Sequence, residues 1–213
     1  MKQNKKLMDV VFILDRSGSM RGTEKDTIGG YNGYINEFKK KNAKITTVLF
    51  DDKYEMLTKR QNVNDVPELT KRQYYVRGCT ALLDAIGRSI KFMENEKAEK
   101  VMFIITTDGY ENASRKFNKE QIKEMIQGHK EWEFMYIGAD IDSYGEGQSI
   151  GISRSNIANY QKDSKGISKM FKAMFLASEK FCDEDCITSS WKEELEDYME
   201  NNNSLEQNND EIE

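Results

Sequence analysis

Val10-Val11-Phe12-Ile13-Leu14-Asp15-Arg16-Ser17-Gly18-Ser19-Met20 runs five apolar residues into an aspartate and then sets two serines at alternate positions. A short continuous apolar run with polar ends suits a strand buried on both faces, as at the centre of a parallel sheet. At the carboxyl end of such a strand, Asp15, Ser17 and Ser19 can turn three oxygens toward one point. Oxygen-only donors suit a hard cation such as Mg²⁺. Asp and Ser also favour turns and helix starts, so the reading depends on further donors arriving from elsewhere in the chain.

Two later stretches supply them. Val101 to Ile105 repeats the apolar run and leads into Thr106-Thr107-Asp108-Gly109, a second buried strand ending in a carboxylate, with Thr107 placed to back the site. Gly78-Cys79-Thr80 opens an amphipathic helix in which Leu82, Leu83, Ile86, Ile90 and Met93 keep helical spacing. Thr80 stands where a helix N-cap would, so its hydroxyl has two readings, a cap alone or a donor facing a metal.

The rest of the chain alternates in type. Asp26 to Asn42 reads as a helix, whose Gly29, Gly30 and Gly33 suit close approach to the sheet. Ile45 to Phe50 reads as a strand, and Glu55 to Arg60 as an edge strand reached by a turn at Asp51-Asp52. Gln61 to Arg77 is polar and irregular. Helices follow at Lys119 to Gln127 and Ile167 to Phe181, and strands at Trp132 to Ile137 and, weakly, Ser155 to Tyr160. The pattern predicts an α/β fold: a doubly wound, mostly parallel central sheet with one antiparallel edge strand and helices on both faces. In such folds ligands sit beyond the carboxyl ends of the strands. Asp15, Ser17, Ser19, Thr80 and Asp108 all fall on that edge. Asp140 and Asp142 follow another strand and are candidates for its rim.

Composition bounds the function. The 213 residues are 38% hydrophobic and 32% charged, enough for one core with a strongly polar surface. Residues 183–213 hold twelve Asp or Glu against Lys192 alone, a charge of −11 within a chain of net −5, which leaves +6 on residues 1–182. The expected organisation is therefore one domain over 1–182 and an acidic tail over 183–213, a short helix from Trp191 to Met199 followed by disorder. No basic stripe argues for nucleic acid, and no apolar run approaches the roughly 20 residues that span a bilayer. Cys79, Cys182 and Cys186 are too few for a disulfide framework, and His129 is the only histidine, so the thiols read as structural and no Ser-His-Asp set is credible. A cytoplasmic location is the expectation.

Asp15-Arg16-Ser17-Gly18-Ser19 matches the D-x-S-x-S motif of von Willebrand factor A domains, the integrin I-like family. Gly78-Cys79-Thr80 resembles the family's threonine loop and Thr107-Asp108-Gly109 its aspartate loop. Tyr136-Ile137-Gly138-Ala139-Asp140, followed by Gly145 to Ile152, is similar to compact bacterial or phage-encoded members of the family. The resemblance implies a vWA/Rossmann-like fold and a metal-ion-dependent adhesion site. Ser17, Ser19 and Thr80 would offer hydroxyls, while Asp15 and Asp108 would act directly or through water. The implied cofactor is Mg²⁺, with Mn²⁺ or Ca²⁺ as substitutes. The implied partner is a protein offering an Asp or Glu carboxylate, and AAA+ ATPases are among the partners of the family's intracellular members. Arg16, Tyr110 and Glu111 would border the site and tune partner choice. A tail carboxylate could also occupy the metal's open position.

The function expected is thus a non-enzymatic, metal-dependent protein-binding module. The alternative is a metal-dependent phosphoryl hydrolase with Asp15 as nucleophile. Against it, position 17 is Ser rather than a second Asp, and no lysine is evidently placed to hold a phosphate.

Overall fold

The apolar run that ends at Asp15 forms the strand β1 (Met8–Asp15), in which every residue is buried. From Val10 to Leu14 its side chains alternate between two separate cores, so each of those five must be apolar. Val10, Phe12 and Leu14 face one helical layer; Val11 and Ile13 face the other. The computed structural model describes residues 7–210, with side chains described through residue 202.

Around β1 the chain builds α1 (Glu24–Phe38), β2 (Ala43–Phe50), β3 (Tyr54–Asn62), α2 (Leu82–Asn95), β4 (Lys100–Thr107), α3 (Lys119–Gly128), β5 (Glu133–Gly138), α4 (Ser143–Ser149), β6 (Ile157–Asn159), α5 (Ser164–Glu184) and α6 (Glu193–Asp210). The six strands lie in the order β3-β2-β1-β4-β5-β6, and β3 alone runs antiparallel. This is the predicted doubly wound α/β architecture.

One face of the sheet packs on α1 and α5. There Phe12 meets Tyr31 and Tyr34 edge-on at 5.3 and 4.8 Å. The other face packs on α2 and α3, with Phe103 stacked on Phe134 at 4.7 Å. Burying a side chain such as Phe12 contributes roughly 2–3 kcal/mol, so the two layers hold the central strands rigidly. That rigidity fixes the loops at their carboxyl ends.

Three expectations change. The irregular stretch before α2 is not merely polar, because Val63, Val66, Leu69 and Tyr74 are buried in the α1/α5 core. Gly30 brings α1 close to the Phe171 ring of α5, not to the sheet. The helix α4 was not foreseen, since Ser143-Tyr144-Gly145-Glu146-Gly147 has two glycines and no apolar period.

The acidic stretch starts inside α5. Trp191 and Leu195 are buried in the main core, Glu194 pairs with Lys169 and Lys172 at 2.7 and 2.6 Å, and the half-buried Lys192–Glu196 pair lies at 3.0 Å. The backbone of residues 201–210, expected to lack structure, continues α6. Expected disorder at 211–213 lies outside the described residues. Along α6, Glu194 meets Lys169 and Tyr198 meets Asp163, so α6 runs antiparallel to α5, toward the carboxyl edge of the sheet.

Candidate metal centre

β1 and β4 are parallel neighbours with Leu14 opposite Thr106, which brings Asp15 beside Thr107. Thr107 Oγ1 donates to Asp15 Oδ2 at 2.6 Å, and the Ser17 amide donates to Asp15 Oδ1 at 2.6 Å. The carboxylate is 0% exposed. Burial pushes its pKa up from 3.8 to about 6; the bonds from Thr107 and Ser17 oppose that shift, and nearby Asp108 adds to it.

The serines turn inward at the next residues. Ser17 Oγ and Ser19 Oγ lie 3.0 Å apart, and Ser19 Oγ donates to Asp108 Oδ1 at 2.5 Å. Gly109 marks where the threonine joins them. A Cβ built on Gly109 would stand 2.9 Å from Thr80 Oγ1, 3.2 Å from Ser19 Oγ and 3.8 Å from Ser17 Oγ. Only a glycine leaves that cradle open. The cap reading of Thr80 is overturned, because the residue at the N-cap of α2 is Ala81 and no side chain caps there. The Leu83 and Asp84 amides are instead satisfied by Glu111 and Ser114.

Backbone ties hold the three loops in register. Gly18 N donates to Gly78 O at 3.2 Å, Arg77 N to Arg16 O at 2.9 Å, and Asn112 N to Thr80 O at 3.0 Å. Gly78 has φ +70°, and a Cβ there would also collide with Asp52, so the threonine loop turns at a position only glycine fills without strain. Tyr74 adds a tie from below, its hydroxyl donating to Asp15 O at 2.5 Å.

Two of the expected border residues have other work. Arg16 is fully buried and points away from the cradle, with Nε 2.9 Å from Asp51 Oδ2 and Nη1 2.8 Å from Glu55. A charge can be buried there because Asp51 is buried with it, also taking Arg77 Nε at 2.7 Å. Burial opposes the Asp51 charge, but the bonds from Arg77, the Lys53 amide and Arg16 outweigh it and hold its pKa below the usual value. Asp51 thus clamps two loops of the site, where the sequence suggested only a turn. Glu111 accepts from Leu83 N, Ala113 N and Ser114 N at 2.7–2.9 Å and is a structural brace. Tyr110 does stand at the rim, 52% exposed, accepting from Asp142 N at 3.2 Å. Asp142 caps α4 through Gly145 N.

Lys162, which the sequence reading passed over, belongs to the site. Its Nζ lies 2.6 Å from Asp108 Oδ2, donates to Ser19 O at 2.7 Å and stands 3.6 Å from Asp140 Oδ2. A lysine therefore does stand at the cradle, contrary to the expectation from the sequence. No local pattern marks Lys162; it arrives on the turn between β6 and α5.

The residues fit a hard divalent cation. Three hydroxyls converge, the carboxylates of Asp15 and Asp108 flank them, and the buried Asp108 Oδ2 already holds a cation, the Lys162 ammonium. Among the described residues no group of three His, Cys, Asp or Glu side chains could hold a metal, so the donor set rests on hydroxyls. His129 is remote from it, stacked on Trp132 at 3.8 Å and 2.8 Å from Glu94. The three cysteines form no disulfide among the described residues.

The sheet order, the antiparallel edge strand and this carboxyl-edge cradle define a von Willebrand factor A-like fold. Solved structures agree. A von Willebrand factor type A structure from Catenulispora acidiphila is 15% identical with TM-score 0.58, covering 82% of this chain and 43% of its own. Proximal thread matrix protein 1 from the mussel byssus, solved with zinc occupying its MIDAS motif, is 15% identical with TM-score 0.60, covering 80% and 45%. The pilus adhesin SpaC from Lactobacillus rhamnosus GG is 13% identical with TM-score 0.66, covering 82% and 30%. This chain spans less than half the length of each. No protein-family model matches the sequence, nor does any curated protein. Among the described residues no helix is long and apolar enough to cross a membrane.

Proposed function

We propose that this chain is a non-enzymatic, metal-dependent protein-binding module that takes an acidic side chain of a partner at a Mg²⁺ site. The observation that carries the reading is the convergence of Thr80 Oγ1, Ser19 Oγ and Ser17 Oγ around the open face of Gly109, beside the buried carboxylate of Asp108. Asp15, Ser17, Ser19, Thr80 and Asp108 are the residues that would hold the ion. Mg²⁺ prefers six oxygens and keeps several waters, and Mn²⁺ or Ca²⁺ could substitute. With neutral hydroxyls dominating the donor set, a bound divalent ion would supply an electrophilic position for an anionic oxygen. A partner's Asp or Glu is the fitting ligand, with exposed Tyr110 beside it. An AAA+ ATPase is one class of such partner, and a cytoplasmic setting accords with that reading.

Phosphoryl hydrolysis with Asp15 as nucleophile is the second reading, and Lys162 is the observation in its favour. Against it, Asp15 is wholly buried and each of its oxygens is tied by a hydrogen bond, from the Ser17 amide and from Thr107. Position 17 carries a serine, which cannot serve as the general acid. The test is partner retention in Mg²⁺ against EDTA, for wild type, Asp15→Ala and Thr80→Ala, with phosphatase assays in parallel. Retention is expected only for wild type with Mg²⁺, without phosphatase activity. Retention unchanged by EDTA and by both substitutions would sink the binding reading.

A further inference from the structure

We infer that Lys162 is a built-in competitor of the divalent cation: its ammonium holds Asp108 when the metal is absent and passes to Asp140 when the metal arrives. The inference rests on the metal-site reading above and adds a residue that sets how tightly the site takes its ion.

Asp15 and Asp108 are both buried and end adjacent parallel strands of the sheet. Leaving such a pair unneutralised is costly. Lys162 supplies a positive charge at the point of need, 2.6 Å from the Asp108 oxygen that has no other partner. Its other close partner is the carbonyl of Ser19, so the ammonium engages two of the five residues assigned to the ion. A divalent ion and an ammonium on the same carboxylate repel strongly at protein dielectric. One must give way.

The lysine has somewhere to go. Its side chain is 22% exposed, and Asp140 Oδ2, on a 66% exposed side chain, is already 3.6 Å away. Asp140 has φ 56°, a left-handed conformation that Asp tolerates better than most residues. The backbone below Lys162 is fixed, however. Tyr160 N donates to Gly138 O at 2.9 Å, and Asp163 caps α5 through Gly166 N at 2.6 Å. Tyr198 of α6 donates to the other Asp163 oxygen at 3.0 Å. The exchange therefore needs a change of side-chain rotamer and no loop movement. Asp108, Asp140 and the Ser19 carbonyl are the partners between which it moves.

The test is calorimetric titration of the full chain with Mg²⁺ and Mn²⁺, paired with melting in EDTA. Lys162→Met should tighten metal binding about tenfold or more and lower the melting temperature in EDTA, where it leaves Asp108 uncompensated. Lys162→Arg keeps the charge and should bind metal much as wild type does. Asp140→Asn should weaken metal binding in the wild-type background and leave it unchanged in Lys162→Met, because only the displaced lysine needs Asp140. Equal or weaker metal binding by Lys162→Met overturns the inference alone. Absence of metal binding in both wild type and Lys162→Met removes the metal site, and the inference with it.

Discussion

The carboxylates that end β1 and β4 are neighbours, both buried, and held in opposite ways. Asp15 is enclosed: a hydroxyl and an amide occupy its two oxygens, and Tyr74 pins its carbonyl. Asp108 is open on one side: Ser19 takes one oxygen, and the other faces only an ammonium that can leave. Asp15 is built as a fixed support, and Asp108 as the exchangeable charge of the site. The difference arises from what each loop meets. Asp15 is followed by a turn that folds back on it, whereas Asp108 is followed by Gly109, which leaves the cradle clear.

Removing the exchangeable charge should have the largest effect. Asp108→Asn is expected to weaken Mg²⁺ binding by roughly a hundredfold or more while costing the metal-free fold no more than about 1 kcal/mol, since the freed Lys162 reaches solvent. Titration calorimetry and denaturant melts measure the two. A large stability loss without a binding loss would break the contrast.

Acidification should act through Asp15. Its folded pKa of about 6 exceeds its ordinary 3.8, so the native metal-free state binds that proton more tightly than the unfolded chain. The Asp15 contribution to stability therefore rises as pH falls from above 6 toward 4, visible as the difference between wild type and Asp15→Asn. Metal needs the carboxylate, so Mg²⁺ affinity should fall about tenfold per pH unit below about 6. A flat affinity from pH 7 to 5 would contradict this placement of Asp15.

Thr107→Val tests the enclosure itself. Losing the hydroxyl donor should cost about 1–2 kcal/mol at pH 7, less at pH 5, with only a small change in metal affinity. Thr80→Ala gives the smallest stability effect, because its hydroxyl caps nothing. It should leave the melting temperature nearly unchanged, whereas Asn118→Ala, which removes the capping box of α3, should cost about 1 kcal/mol.

What could be read beforehand follows from locality. β1 and β4 were legible because burial on both faces demands unbroken apolar runs, and Asp15, Ser17, Ser19 and Asp108 could be placed on the carboxyl edge because each follows such a run within a few residues. Lys162 was not legible: it meets Ser19 from 143 residues away, in a polar turn with no periodic pattern. Arg16 was misplaced because charged side chains are seldom fully buried, and only the equally buried Asp51, contributed by another strand's end, makes an exception of it. The tail was read by its charge, yet Trp191 and Leu195 decide where it docks.

The most direct test of the account is diffraction from crystals of the full chain grown with Mn²⁺ and measured at the manganese absorption edge. The expected result is an anomalous peak in the cradle formed by Ser17 Oγ, Ser19 Oγ and Thr80 Oγ1, with Lys162 turned from Asp108 toward Asp140. A manganese peak found only elsewhere, or a cradle without one at saturating Mn²⁺, would contradict the metal centre.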